Sequence, residues 1–313
     1  GDLTVYVTGD NVLAITANNI AGIAVAEGVR SENYPNNTYV KGTLSGDVEA
    51  TGGIDDKYAN SGVGTATAST YAGAYGVGSD IDKKKSKIYC ETIGNLTVTA
   101  KGGTSIGGTV TSNSSASANT EAWAAAKGLC DVVQTNDIGK LTITATGGTA
   151  TAGNATCTDA NGSAIAYASA GAYAYGIGVF ANTVTVGDLS DIEVSATGGN
   201  ATVQQSDAGA QAGAYAYGIF GLRINPTASQ TTINVTGNVK IKSSATAGTE
   251  TDSTKTTNPA QFGAYSIYSA GANINIGVDT STGYPAANGK TVQLEGDISA
   301  QNNGTNNVIL SGS

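Results

Sequence analysis

The chain has 313 residues, with 44 Gly, 4 Pro, 3 Cys, no His and no Met, and a formal charge of −9. Only 12% of residues are charged, against roughly 25% in ordinary globular domains. Ala, Gly, Thr, Ser and Asn fill the space, which disfavours long helices, while the negative balance points away from nucleic acid.

Residues 1–41 read as irregular first turns, with strand alternation at Leu3-Thr4-Val5-Tyr6-Val7 and Val12-Leu13-Ala14-Ile15. Repeats then follow at 42–92, 93–137, 138–186 and 187–233, with a degenerate fifth over 234–292 and a final partial turn over 293–313. A Gly-Gly step marks them at Gly52-Gly53, Gly102-Gly103, Gly147-Gly148 and Gly198-Gly199, spaced by 50, 45 and 51 residues. An aromatic phrase returns at Gly73-Ala74-Tyr75, Gly171-Ala172-Tyr173, Gly213-Ala214-Tyr215 and Gly263-Ala264-Tyr265, with Ala122-Trp123-Ala124 in the gap. Self-similarity at a fixed period means stacked units that bury their apolar faces on one another.

Each repeat carries at least three strand candidates, in the third Leu141–Ala145, Ala164–Ile177 and Thr183–Val186. Strands in series with short glycine turns predict an all-β chain, a right-handed parallel β-helix (β-solenoid) built from ~45–50-residue repeats. One elongated domain over 1–313 is expected. A repeat of ~48 residues fits two turns of ~24, or one turn bearing a hairpin between Thr149–Ala152 and Ser163–Ala166. Both alternatives remain open on the sequence, with the two-turn version the more natural.

The Ala/Gly/Tyr strand lets small residues pack closely while tyrosines of neighbouring turns stack and keep their hydroxyls wet. Tyr75, Trp123, Tyr173, Tyr175, Tyr215, Tyr217 and Tyr265 are the candidate stacking ladder. Packing is the ordinary role of such a ladder, and an aromatic strip for a ligand is the alternative. Cys90 and Cys130 both fall between an aromatic phrase and the next Ile-Gly opening, so they could lie on stacked turns and pair in a disulfide if the chain matures in an oxidising compartment; Cys157 stands apart.

Reactive chemistry has little purchase. Gly103-Thr104-Ser105-Ile106-Gly107 matches the G-x-S-x-G pattern, but the chain has no imidazole to act as base. Without histidines or close thiol pairs, no metal or other cofactor is expected. Asp55, Asp56, Asp80, Asp82 and Glu91 are the acids that a glycoside-cleaving pair would draw on, and their spacing singles out none. Asp159, Asp188 and Asp191 could touch calcium, without the Gly-Asp nonapeptide pattern that would support it. Thr-x-Thr pairs such as Thr97-Val98-Thr99 and Thr142-Ile143-Thr144 suggest an ice-binding array. Asp47-Val48-Glu49, Glu193-Val194-Ser195 and Lys240-Ile241-Lys242, at equivalent places, break it. The Lys83-Lys84-Lys85-Ser86-Lys87 cluster reads as a solvated insertion. The most apolar run, 164–181, is Ala, Gly and Tyr around Ser169, so no membrane-spanning segment is expected. No signal peptide precedes Gly1, which suggests a mature or trimmed form.

With these residues in view, the chain resembles the passenger region of Gram-negative autotransporter (type V secretion) proteins. The resemblance rests on the Leu-Thr-Ile-Thr-Ala-Thr-Gly-Gly-Thr-Ala-Thr-Ala phrase from Leu141 and the Ala-Tyr-Ala-Tyr-Gly-Ile runs at 172–177 and 214–219. The third support is the tail from Leu294-Glu295-Gly296-Asp297-Ile298 to Val308-Ile309-Leu310. It implies a β-helix exported to the bacterial outer-membrane surface or shed outside the cell, acting as an adhesin or structural layer. An unknown host-cell, glycan or protein receptor would be the partner. The variable Ser/Thr/Asn-rich stretches Thr111–Ala118, Ala155–Gly162 and Thr249–Asn258 are the expected contact sites. An alternative is an extracellular filament or surface-layer subunit stacking through its ends.

Overall fold

The computed structural model describes residues 2–8, 12–14, 19–29, 38–57, 65–78, 88–107, 109–130, 132–158, 163–179, 183–203, 208–222, 231–252, 262–279, 286–287, 289–301 and 307–310. Among these the protein is all-β, with three parallel sheets of ten, nine and six strands. The large sheet contains Thr38–Thr51, Ile88–Lys101, Val132–Thr146 and Thr183–Thr197; the alanine-tyrosine sheet contains Thr65–Gly78, Ser115–Cys130, Ala172–Val179, Ala214–Leu222 and Phe262–Ala270. The short sheet stacks Ile54–Lys57, Thr104–Ile106, Thr149–Thr151 and Asn200–Val203. This architecture is compatible with a β-helix.

Partner residues one strand apart are widely separated in sequence. Val48 pairs with Val98, Val98 with Ile143, and Ile143 with Val194, and the same step carries Asn200 to Thr249. The step varies toward the end, where Thr232 pairs with Asn273 and Ile267 with Ile298, while Val239 still pairs with Val292. No described parallel pair joins residues ~24 apart, so two turns per repeat finds no support in the register. The hairpin alternative fails as well. Thr149–Thr151 pairs with Thr104–Ile106, and Ser163–Ser169 with Ser115–Cys130, each a layer away rather than with each other.

Period-two alternation explains the large sheet. Leu44, Ile93, Ile138, Leu189, Val239 and Val292 form one inward column, and Ala50, Ala100, Ala145, Ala196 and Ala245 form another. These columns meet Ala72, Ala124, Ala172 and Ala214 from the alanine-tyrosine sheet in the main core. Small residues on one side accept branched ones on the other, which is how a core fills without voids. The outward column reads Asp47, Thr97, Thr142, Glu193, Lys242 and Glu295. The register thus places Asp47-Val48-Glu49 and Glu193-Val194-Ser195 level with the Thr-x-Thr pairs, whereas Lys240-Ile241-Lys242 lies two residues off, its Ile241 level with Ile192 and Leu141. On this outward face ion pairs bridge layers, as between Lys240 and Asp191 at 2.8 Å and Lys101 and Glu49 at 2.8 Å.

A second core occupies the side that the sequence suggested was a polar tip. Val110, Ala116, Ala118, Ala122, Ala150, Ala152, Ala155, Ala166, Ala168 and Ala201 are buried together there. Alanine carries too little apolar surface for this side to stand out in a hydrophobicity reading.

The Gly-Gly step is a place of close approach. A Cβ on Gly148 would lie 2.0 Å from the Gly103 carbonyl oxygen, and one on Gly199 would lie 1.9 Å from that of Gly148. Neither has a left-handed φ, so layer-to-layer proximity alone excludes a side chain. The column continues at Gly248, where the sequence has Ala247-Gly248 instead of a glycine pair.

The described strands within 1–41 join the sheets of the later layers. Asp2–Thr8 pairs with the large sheet, Val12–Ala14 with the short sheet, and Asn19–Val29 with Thr65–Gly78, in the same order as later layers. The strand Asn19–Val29 was not anticipated.

Candidate functional site

Alternation on the alanine-tyrosine sheet turns every second side chain outward, and there the rings gather. Register aligns Glu27, Tyr75, Lys127, Tyr175, Tyr217 and Tyr265 in one column. Val25, Gly73, Ala125, Tyr173, Tyr215 and Gly263 form the next. Tyr175 stacks on Tyr217 at 5.0 Å and 15°, Tyr217 on Tyr265 at 5.5 Å and 11°, and Tyr173 on Tyr215 at 5.6 Å and 10°. These are near-parallel spacings at which ring pairs gain beyond their buried area.

All seven ladder residues therefore lie on one face, but not in one column. Trp123 stands opposite Tyr71, and its ring leans along the strand to stack on Tyr173 at 5.3 Å and 7°. Gly171 makes the lean possible, since a Cβ there would lie 2.2 Å from Trp123 Cζ3. Tyr75 is separated from Tyr175 by Lys127, whose ammonium sits 4.9 Å from the Tyr75 ring centroid and 6.0 Å from that of Tyr175. A cation between two ring faces replaces the ring that the repeat would otherwise supply. Lys127 is only 6% exposed, its stem lying along the rings.

The sequence reading missed Lys127, Tyr71, Phe220 and Tyr268. Tyr71 and Tyr75 meet hydroxyl to hydroxyl at 2.9 Å across Gly73, where a Cβ would clash with both rings. Phe220 stacks on Tyr268 at 5.4 Å and 6°, and both meet Tyr217 edge-on. The signal was partly present, since Phe220 and Tyr268 pair in register. What hid them is the bend at Gly218: Gly218 and Ile219 both face inward, so Phe220 returns outward out of phase with simple alternation.

Burial raises the Tyr175 and Tyr217 hydroxyls well above the usual phenol range, with neighbouring phenols adding to it. Tyr173, Tyr215 and Tyr268 are raised by the same causes. The rings are thus neutral hydrogen-bonding surfaces at any physiological pH.

Beside the ladder lies a groove of about 540 Å³. Its floor is Ala124 and Ala125, its walls are Tyr71, Trp123, Tyr173 and Tyr175, and Glu121 and Lys127 supply charge at its margins. Ala125 stands where the later layers carry Tyr173 and Tyr215, and Gly73 stands there one layer earlier. At these two layers rings lean in from Tyr71, Tyr75 and Trp123 instead of rising from the column itself.

The remaining sequence candidates lie elsewhere. Ser105 is wholly buried and donates to Thr70 Oγ1 at 3.3 Å, beneath a groove that its hydroxyl does not line. Glu91 is exposed and accepts from the Gly42 amide at 2.6 Å. Asp188 accepts from Asn238, and Asp191 pairs with Lys240 and, at 4.0 Å, with Lys140. Asp55 and Asp56 are strand residues of the short sheet, while Asp80, Asp82, Asp159 and the 83–87 lysine cluster fall outside the described residues. Among the described residues no group of three or more His, Cys, Asp or Glu side chains is placed to hold a metal ion. No described helix is long and apolar enough to cross a membrane.

The Cys90–Cys130 disulfide that the sequence allows is not formed. Cys90 lies in the large sheet and Cys130 at the end of Ser115–Cys130 in the other, and both are thiols, as is Cys157. Burial pushes the Cys90 thiol up to about 11. Of the expected contact stretches, 111–118 is mostly strand with Ser112, Ala116 and Ala118 buried, leaving Thr111, Asn113, Ser114 and Ser115 exposed. In the other two, Thr156 and Thr158 are exposed, 249–252 is strand, and 159–162 and 253–258 lie outside the described residues.

Comparison with protein-family profiles, curated proteins and solved structures finds no match to this chain.

Proposed function

We propose that the chain is a right-handed parallel β-helix with one coil per ~45–50-residue repeat, serving as a non-catalytic structural and adhesive element of the bacterial surface. In this reading it resembles an autotransporter passenger and is displayed or shed outside the cell. One observation carries the proposal: side-chain columns such as Leu44, Ile93, Ile138, Leu189, Val239 and Val292 stay in register through six layers. A body held by such columns is stiff and presents the same outward faces along its length, which suits display of contact surfaces.

Eight layers along the large sheet, at ~4.8 Å each, stack to about 34 Å. The chain thus supplies a segment of such a body. The test is binding of the purified chain to cell surfaces, extracellular-matrix proteins and immobilised glycans, with residues 159–162 and 253–258 each replaced by Gly-Ser in parallel variants. Saturable binding that falls in one variant supports the adhesive role. No binding to any of these surfaces refutes it, and end-to-end filaments in electron micrographs would favour an assembling subunit instead.

A further inference from the structure

We infer that the groove over Ala125 is a saccharide-binding site that takes the apolar face of a neutral pyranose against Trp123. It goes beyond the surface role proposed above by placing recognition on the body of the protein, and does not depend on the loop stretches.

Four observations lead there. Rings line the groove: Trp123 leans over Tyr173 at the layer of Ala125, and Tyr71 and Tyr75 close over Gly73, so its walls have the chemistry of ring faces and edges. Its volume, about 540 Å³, falls in the range of small-ligand sites, roughly 300–1,000 Å³. Its walls are rigid. Trp123 is held by stacking on Tyr173 and by contact with Gly171, so little conformational entropy is lost when a ligand settles on it. Finally, the margins carry one acceptor-only and one donor-only group, the Glu121 carboxylate and the Lys127 ammonium. Flat apolar walls with polar margins match a ligand that is apolar on its faces and hydroxylated around its rim.

The same features disfavour other ligands. Lys127 already occupies the cation position over Tyr75 and Tyr175, so an ammonium ligand would meet a like charge. A phosphorylated or otherwise polyanionic ligand meets Glu121 and a chain of net charge −9. A neutral sugar pays neither cost: its hydroxyls donate to the Glu121 carboxylate, while its C–H face lies on the indole.

The chain has a single tryptophan, so its intrinsic fluorescence reports on this groove alone. The full chain is titrated with neutral α- and β-linked gluco-, manno- and galacto-oligosaccharides, with a sialylated oligosaccharide and a tyrosine-rich peptide as contrasts. A saturable change in Trp123 emission is expected with at least one neutral oligosaccharide. Ala125→Tyr, which puts a ring into the groove, should weaken binding at least tenfold while leaving the far-ultraviolet circular dichroism unchanged. Because that variant could perturb the sheet, Glu121→Gln is measured as well. It keeps the shape and removes the charge, and should weaken the same sugar several-fold. Loop-substituted chains should bind as the parent does. Absence of a saturable response across the neutral panel overturns the inference. So does a response only to the sialylated sugar or the peptide, or binding insensitive to both groove substitutions. Loss of binding only in the loop variants would also overturn it while leaving the adhesive role standing.

Discussion

Replacing Gly148 with alanine adds one methyl group where two layers approach closely. Its Cβ would lie 2.0 Å from the Gly103 carbonyl oxygen, 2.8 Å from Gly102 C and 2.9 Å from Gly103 N. The same carbonyl accepts the Thr149 amide at 2.9 Å. Relief requires the two layers to part locally by about 1 Å, which takes that hydrogen bond beyond useful length. The bond itself is worth about 1 kcal/mol, with roughly 1–3 kcal/mol more if the buried carbonyl stays unpaired. Strain from overpacking adds about 1–3 kcal/mol, and the stiffer unfolded chain adds stability to the variant, offsetting some 0.4–1 kcal/mol by lowering its unfolded-state entropy only where the native backbone is unstrained. A net loss of about 2–4 kcal/mol is expected. Urea unfolding followed by circular dichroism measures it, with Thr142→Ala on the outward face as a control expected within about 0.5 kcal/mol of the parent. Because neighbouring layers support each other, the loss can emerge as a split transition with the weakened junction opening first. If Gly148→Ala unfolds with the control, the glycine step is not a packing constraint.

Thiol reagents should label Cys157 in the native protein, where it is half-exposed, and reach Cys90 and Cys130, each 2% exposed, only after unfolding. All three should then react; recovery of a single thiol from the unreduced, unfolded protein would show a disulfide after all. Cys90 should also make stability fall in alkali. Its thiol is raised from 9.0 to about 11, so the folded chain keeps a proton that the unfolded chain loses. The contribution is intact below pH 9.0 and disappears as pH climbs toward 11, on the order of 1–2 kcal/mol. Tyrosines add to the same slope in both proteins, so comparison with Cys90→Ala isolates the thiol. Parallel slopes between pH 8.5 and 10.5 would refute it.

Periodicity carried the sheets into view because Val98, Ile143 and Val194 repeat both their chemistry and their distance from a Gly-Gly step. It could not reveal which residues become neighbours. A spacing near 48 reads equally as one layer or two until hydrogen-bonded partners are known. The alanine core between Ala118, Ala150 and Ala166 stayed hidden because alanine is common in turns and cores alike. The ladder was recognised as chemistry but not as geometry. Trp123 and Tyr173 share a phrase, yet the register puts Ala125 opposite Tyr173, and only Gly171 lets the indole reach across. Lys127 was missed because a lysine on an exposed strand ordinarily points into water, and nothing local announces rings on both sides of it.

The unequal sequence distance between hydrogen-bonded partners bears on how such a chain can change over generations. Ala124 reaches its partner Ala172 across a longer connection than the one from Ala172 to Ala214, yet the three share one column. Insertions and deletions of several residues are therefore absorbed in the connections, and no interior side chain acquires a new neighbour. Natural variants should differ in length at those junctions far more freely than in sequence along the strands.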